Sequence, residues 1–145
     1  MKIAQNALCG MTAGLTAGFI LGGFMLLTGV LSKAVAQFGG TSIWKGFFIH
    51  LFFSSLIGTI LGLFFGQFMQ SLKKALLIGI LYAIAWWIFA VWIITPLRMG
   101  NSIQLSISEL TNTLHIFGGH SMFGLVLGGT FFILKSQLYV ANEVE

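Results

Sequence analysis

Residues 46–70 read GFFIHLFFSSLIGTILGLFFGQFMQ and contain no Lys, Arg, Asp or Glu; their single ionisable side chain is His50. An α-helix of about 20 predominantly apolar residues is long enough to cross the hydrocarbon core of a bilayer. A segment of this length without a formal charge is typical of a membrane-spanning helix. These residues therefore predict a transmembrane span, and they decide the fold class of the chain.

Three further apolar runs of comparable length accompany this one, at about 7–31, 75–95 and 113–134, with short polar joints between them. Of the 145 residues, 57% are hydrophobic and 7% are charged, far too few charges to solvate the surface of a water-soluble domain. We therefore predict an all-α integral membrane protein. Its four helices are expected to form one bundle, a single membrane domain over residues 1–145 in contact with the lipid bilayer.

The third run carries two features that bear on its path. Trp86 and Trp87 fall near its middle, where anchoring at the membrane surface cannot explain them, so we expect them to pack against a neighbouring helix. The run is expected to end at Thr95, because Pro96 cannot continue a helix cleanly.

The seven Lys and Arg residues give a formal net charge of +4, but they stand at the ends of the spans rather than along one face. They are interpreted as membrane anchors, and nucleic acid is not expected as a partner. Four spans put both termini on one side of the membrane, where four basic residues oppose three on the other side. The positive-inside rule then favours both termini in the cytoplasm.

Glycines recur at a spacing of four residues in the first two spans, a spacing that places them on one helix face. Small residues let helix backbones approach closely, a principal route to helix association in lipid. These glycine faces therefore predict helix–helix seams within one subunit, with a homodimer or a larger membrane complex as the alternative use of such a face. The residues are Gly10, Gly14, Gly18 and Gly22 in the first span and Gly58, Gly62 and Gly66 in the second.

A short motif of the form His-x-x-Phe-small-x-x-x-Gly occurs twice. It runs from His50 to Gly58 in the second span and from His120 through Gly124 to Gly128 in the fourth, 70 residues later. The two helices would run in the same direction. We infer a two-span unit repeated about an axis along the membrane normal.

This repeat places His50 and His120 at similar depth, where they are able to face each other. Ionisable side chains inside a span are costly and usually point to a bundle interior or cavity, so the pair is the candidate site for a cofactor, a metal or a proton. Two neutral imidazoles are suitable ligands for haem b iron or another transition metal. Ser54 and Glu109 are second-line candidates. The structural alternative is that each histidine hydrogen-bonds a neighbouring group, Ser54 for His50, and fixes helix register.

Catalytic chemistry has little support in this sequence. Cys9 is the single cysteine, which excludes an internal disulfide and a thiolate metal cluster. No nucleophile elbow, phosphate-cradling loop or His-Glu-x-x-His pattern occurs, and no catalytic residue is assigned. The chain is not expected to be an enzyme. Two other classes stay open: a non-catalytic accessory or assembly subunit of a larger membrane complex, and a small transporter or channel.

A resemblance adds to this picture. A His-x-x-Phe-Ser span, a third span that closes on proline, and a last span built around Phe-Gly-Gly-His resemble the YagU-like inner membrane proteins and related families of similar size. The resemblance implies a bacterial inner membrane location and an undefined activity. The YagU-like proteins have longer, proline-rich loops that this chain lacks. The matching residues are His50, Phe53, Ser54, Pro96, Phe117, Gly118 and His120.

Overall fold

A computed structural model describes residues 3–37, 40–98, 100 and 114–143, and within these ranges it omits the side chains of residues 37, 98, 115 and 139–143. The described residues form helices and turns and contain no β-strand. The α-helices are α1 (Ile3–Leu27), α2 (Val30–Gln37), α3 (Ile43–Phe65), α4 (Leu72–Ile88), α5 (Thr95–Arg98) and α6 (Leu114–Glu143). A 3-10 turn, Gly66–Phe68, extends α3, and a π-helical segment, Phe89–Ile94, joins α4 to α5.

Four stretches of helix are long and apolar enough to cross a membrane. They are Ile3–Leu27, Ile43–Phe68, Leu72–Leu97 and Ile116–Leu138, and we call them spans one to four. Large apolar side chains on their outer faces are more than half exposed, as lipid-facing residues are: Phe19, Phe48, Phe52, Phe64 and Leu81. The predicted all-α four-helix membrane bundle is confirmed.

Span one ends four residues before the predicted boundary. Its helix stops at Leu27, and Gly29 adopts a φ of 73°, which glycine reaches without steric cost. The Gly29 amide donates to the Leu26 carbonyl, and the short helix α2 then begins at Val30. The apolar run therefore turns near residue 28 rather than continuing to 31 as one straight helix.

Span three continues through Pro96, so the prediction that it ends at Thr95 is wrong. In an α-helix the proline ring collides with the carbonyl four residues earlier, here that of Trp92. Trp92 lies inside the π-helical segment, whose wider turn relieves this collision. The amide and the hydroxyl of Thr95 both reach the Ala90 carbonyl, five residues back, the hydroxyl at 2.9 Å.

Spans one and two meet backbone to backbone along their glycines. A Cβ atom added to Gly58 would overlap the Gly10 carbonyl oxygen, and one added to Gly14 would overlap that of Ser54. Gly62 is equally close to the Asn6 carbonyl oxygen. The two helices run antiparallel, and both glycine faces are used within the chain, at one continuous seam.

Spans three and four form a second seam of the same kind. The Gly79 backbone lies against Gly124, and Gly128 lies against the Ala75 carbonyl. Ala83 continues the seam and is 1% exposed. Each half of the chain is thus an antiparallel helix pair closed by small residues, as a two-span repeat would require.

The two pairs join asymmetrically. Span one packs along span four, whereas spans two and three pack little against each other. Spans two and three are linked by a hydrogen bond of 2.9 Å from the Tyr82 hydroxyl to the Ile57 carbonyl and by a ring contact of 5.7 Å between Phe65 and Tyr82. An exact two-fold axis would make both junctions alike. The bundle is therefore more open between spans two and three.

Lys135 joins the two helix pairs at the end of the bundle where span two ends and span three begins. Its ammonium group donates to the Gly66 carbonyl at 2.7 Å and to the Met69 carbonyl at 3.4 Å. These carbonyls follow the end of α3, where the last helical carbonyls have no partner within their own helix. A cation from span four thus caps the end of span two.

The seam between spans one and two predicts a large cost for adding one methyl group. We expect Gly58→Ala to lower the free energy of unfolding by about 1–3 kcal/mol or more, because the new Cβ has to displace the backbone of Gly10. Thermal unfolding in detergent, followed by circular dichroism, measures this change. Gly23→Ala is the matched control, since a Cβ at Gly23 meets nothing within 4 Å. Equal stability of both variants would contradict the seam.

Candidate functional site

A cavity of about 200 Å³ lies between the four spans. Most of its wall is apolar, with three aromatic rings, and the polar side chains that line it are two histidines and one serine. Span one contributes Leu21 and Met25, span two His50, Phe53, Ser54 and Ile57, span three Ala83, Trp86 and Ala90, and span four His120 and Phe123. The structure therefore brings the two candidate histidines to one cavity.

His50 reaches this cavity because spans one and two are so close. It lies about two turns after the start of α3, and its Nε2 is 3.0 Å from the Gly18 carbonyl oxygen of span one. Gly18 itself has no room for a side chain, since a Cβ there would meet the Ser54 side chain. A carbonyl oxygen only accepts hydrogen bonds, so Nε2 carries the proton and Nδ1 of the neutral ring carries the lone pair.

His120 is fixed by its own helix. It lies about two turns after the start of α6, and its Nδ1 is 3.0 Å from the Ile116 carbonyl oxygen. The same reasoning places the proton on Nδ1 and leaves the lone pair on Nε2. The two rings are therefore held in opposite tautomers.

The arrangement brings two imidazole rings to one cavity, each with one nitrogen left as an acceptor. Within the described part of the chain, the second nitrogen of each ring makes no hydrogen bond. Histidines that bind metals commonly donate their other N–H to a backbone carbonyl, as both of these do. The same bonds also suit histidines that fix helix register. The expected partner of His50 was Ser54; the partner is the Gly18 carbonyl instead, and Ser54 is 3% exposed beside it.

The two second-line candidates, Ser54 and Glu109, have different outcomes. Ser54 lines the cavity with the histidines. Glu109 lies outside the described residues, and so does the side chain of His115. Among the residues that the structure describes, no group of three or more His, Cys, Asp or Glu side chains is placed to hold a metal ion. The protein ligands that the cavity itself offers are two nitrogens, the Ser54 hydroxyl and the Met25 thioether.

Haem fits this cavity poorly. An apolar cavity of about 150 Å³ is known to hold one benzene ring. The cavity here therefore has room for about one such ring and lacks room for the four pyrrole rings of haem. Ligation of iron by Nε2 of His50 would also break its bond to Gly18. A haem at this site requires the helices to move apart.

The sequence does not predict every residue of the cavity wall. Met25 and Ala90 are ordinary residues of an apolar span, and nothing in their spacing distinguishes a cavity-lining residue from a lipid-facing one. Phe53 and Phe123 belong to the repeated His-x-x-Phe motif, but they were not expected to line the site.

Trp86 was expected to pack against a neighbouring helix; its ring contacts are with Tyr82 and Phe89 of its own span, and it forms part of the cavity wall. The tryptophan that follows Trp86 in the sequence is buried against span four. Trp87 is 5% exposed, and its ring packs on Phe117 of span four at 5.1 Å between centroids. The expectation that it packs against a neighbouring helix is confirmed.

Comparison of the chain with family models, with curated proteins and with solved structures finds no match. The resemblance to the YagU-like proteins accordingly stays a prediction.

The geometry predicts opposite tautomers for the two histidines. In protein labelled with ¹⁵N-histidine, two-bond proton–nitrogen spectra of the neutral rings should show N–H at Nε2 for His50 and at Nδ1 for His120. The variants His50→Leu and His120→Leu assign the signals. An Nδ1–H tautomer of His50 would mean that the bond to Gly18 is not formed.

Proposed function

We propose that this protein binds a small ligand within the membrane, in the cavity between His50 and His120. The observation that carries the proposal is that two histidines, one from each helix pair, line a single cavity while each, in the part of the chain that the structure describes, uses only one ring nitrogen in a hydrogen bond to a backbone carbonyl. Polar groups are expensive in a membrane interior, and two ring nitrogens that make no hydrogen bond with the described residues favour a ligand that supplies a partner.

The required ligand follows from what the site offers. A lone pair accepts a hydrogen bond, takes up a proton or binds a metal ion, so the ligand has to supply one of these. Among the described residues, two imidazole nitrogens are the strong metal ligands of the cavity, with the weaker Ser54 hydroxyl and Met25 thioether beside them, whereas structural metal sites commonly use four strong ligands. A hydrogen-bond donor needs one lone pair only. The geometry therefore favours a molecule with a donor group over a metal ion, and the proposal is binding without catalysis.

Location and orientation are part of the proposal. Lys73, Lys74 and Lys135 lie at one end of the bundle, because Lys135 bonds to the carbonyls just before the turn that begins span three. This cluster supports a cytoplasmic position for that end under the positive-inside rule. Together with the resemblance to the YagU-like proteins, it supports the bacterial inner membrane, with both termini in the cytoplasm.

An accessory or assembly subunit is the second candidate function. The bond from His50 to Gly18 joins spans one and two, and a bond that fixes helix register needs no ligand. In that case the cavity is a consequence of the asymmetric junction between the helix pairs. A transporter or channel has less support, because eight of the eleven residues that line the cavity are apolar.

Analysis of what the purified protein carries tests the proposal. Wild type, His50→Leu, His120→Leu and the lipid-facing control Phe52→Leu are purified in mild detergent from cells supplied with haem. Oxidised and dithionite-reduced absorption spectra, elemental analysis and mass spectrometry of an organic extract then cover haem, metals and organic molecules.

We expect one ligand in near-stoichiometric amount in wild type and Phe52→Leu that is lost in both histidine variants. Identical extracts and metal contents in all four proteins would contradict the proposal and favour the accessory subunit. The proteins that co-purify would then identify its complex.

A further inference from the structure

The cavity reaches the outer surface of the bundle between spans two and three. Phe53 lines the cavity and is also 53% exposed, so the wall that it forms has a lipid-facing side. Trp86 and Ala90 of span three stand across from it. Spans two and three are the neighbours along the chain that pack least. The opening is therefore lateral and leads to the lipid phase.

Tyr82 closes the edge of this opening that lies nearer to the turn between spans two and three. Its hydroxyl donates to the Ile57 carbonyl at 2.9 Å, and its ring packs on Phe65. Ile57 lies two turns beyond His50, and Tyr82 lies one turn before Trp86. The opening thus begins at the hydrogen bond between Tyr82 and Ile57 and extends away from that turn, towards the level of the histidines.

The histidines lie at a depth where amphiphiles place their polar groups. Span two has 26 residues, a helix of about 39 Å, against a hydrocarbon core of about 30 Å. His50 is about 10 Å from the start of this span, which places it roughly 5 Å inside the hydrocarbon. Trp44 and Lys45, the residue types expected at the membrane surface, stand a little before it.

We propose that the cavity binds a lipid-soluble phenol, whose single hydroxylated aromatic ring enters between spans two and three and donates a hydrogen bond to the Nε2 lone pair of His120. The inference rests on the proposed function and names its ligand class. A phenol is neutral, so it avoids the cost of placing a cation in the membrane interior. Its hydroxyl supplies a hydrogen-bond donor for the ring nitrogen that carries the lone pair.

The size and walls of the cavity fit one aromatic ring. A cavity of about 150 Å³ admits benzene, and the volume of about 200 Å³ found here leaves room for a ring with a hydroxyl group. Phe53, Trp86 and Phe123 provide aromatic faces and edges for ring contacts. An alkyl substituent on the ring would leave through the lateral opening into lipid.

The experiment uses 4-pentylphenol as the probe and full-length protein in lipid nanodiscs. Isothermal titration calorimetry against empty nanodiscs separates binding from partition into lipid. The methyl ether, 4-pentylanisole, is the matched control ligand, because it has the same ring and tail but no hydrogen to donate. We expect saturable binding of one phenol per chain and, from loss of one buried hydrogen bond, about tenfold weaker binding of the ether.

Two variants locate the bound ring. His120→Leu removes one lone pair, and its bond within α6 makes no contribution to helix pairing. It should weaken phenol binding about tenfold and leave binding of the ether unchanged. Ala90→Leu fills the cavity from span three and should abolish binding of both ligands. Phe52→Leu, on the lipid face, should bind both ligands as wild type does.

Equal binding of phenol and ether to wild type, or phenol binding that survives Ala90→Leu, would overturn the inference. Failure here is separable from failure of the proposed function. If 4-pentylphenol does not bind but a different ligand is lost from both histidine variants on purification, the ligand class is wrong and the site stands. If no ligand depends on the histidines in either experiment, both proposals fail.

Discussion

The close approach of glycine backbones is the constraint on which the rest of this molecule depends. In lipid, helices gain little from burying apolar surface against each other, so their association rests on close contact and hydrogen bonds. Gly58 touches Gly10 across one seam, and Gly79 touches Gly124 across the other. Each seam fixes two helices as a pair. Where Gly18 meets span two, the same approach brings a backbone carbonyl within reach of His50.

The site follows from how the two pairs meet. Spans one and four pack against each other, while spans two and three pack little against each other and are linked by Tyr82. The space left between the pairs is the cavity, and the parallel course of spans two and four brings His50 and His120 to it. Binding is thus proposed at the least tightly packed junction of the bundle, where a ligand reaches the site without separating either seam.

Much of the fold was predictable because its signals are local. Single segments carry the four apolar runs, the glycine spacing and the motifs around His50 and His120. Each of these features can be identified in the sequence. The cavity wall could not be predicted, because Met25 and Ala90 look like any residues of an apolar span and their role depends on which helices pack together. The π-helical turn was missed for a related reason: Pro96 predicts the end of an α-helix, and nothing in the sequence reveals a wider turn before it. The early end of span one depends on the left-handed conformation of Gly29, in a chain with many other glycines.

If His50 and His120 line one cavity within a single chain, a short cross-linker joins cysteines placed at these two positions. His50→Cys and His120→Cys are combined in a Cys9→Ala background, treated with a short bismaleimide in native membranes, and digested for mass spectrometry. We expect a cross-linked peptide pair in the monomeric fraction, and none when Phe52→Cys, on the lipid face, replaces His50→Cys. Cross-links found solely between chains, or equal yields from both cysteine pairs, would contradict it.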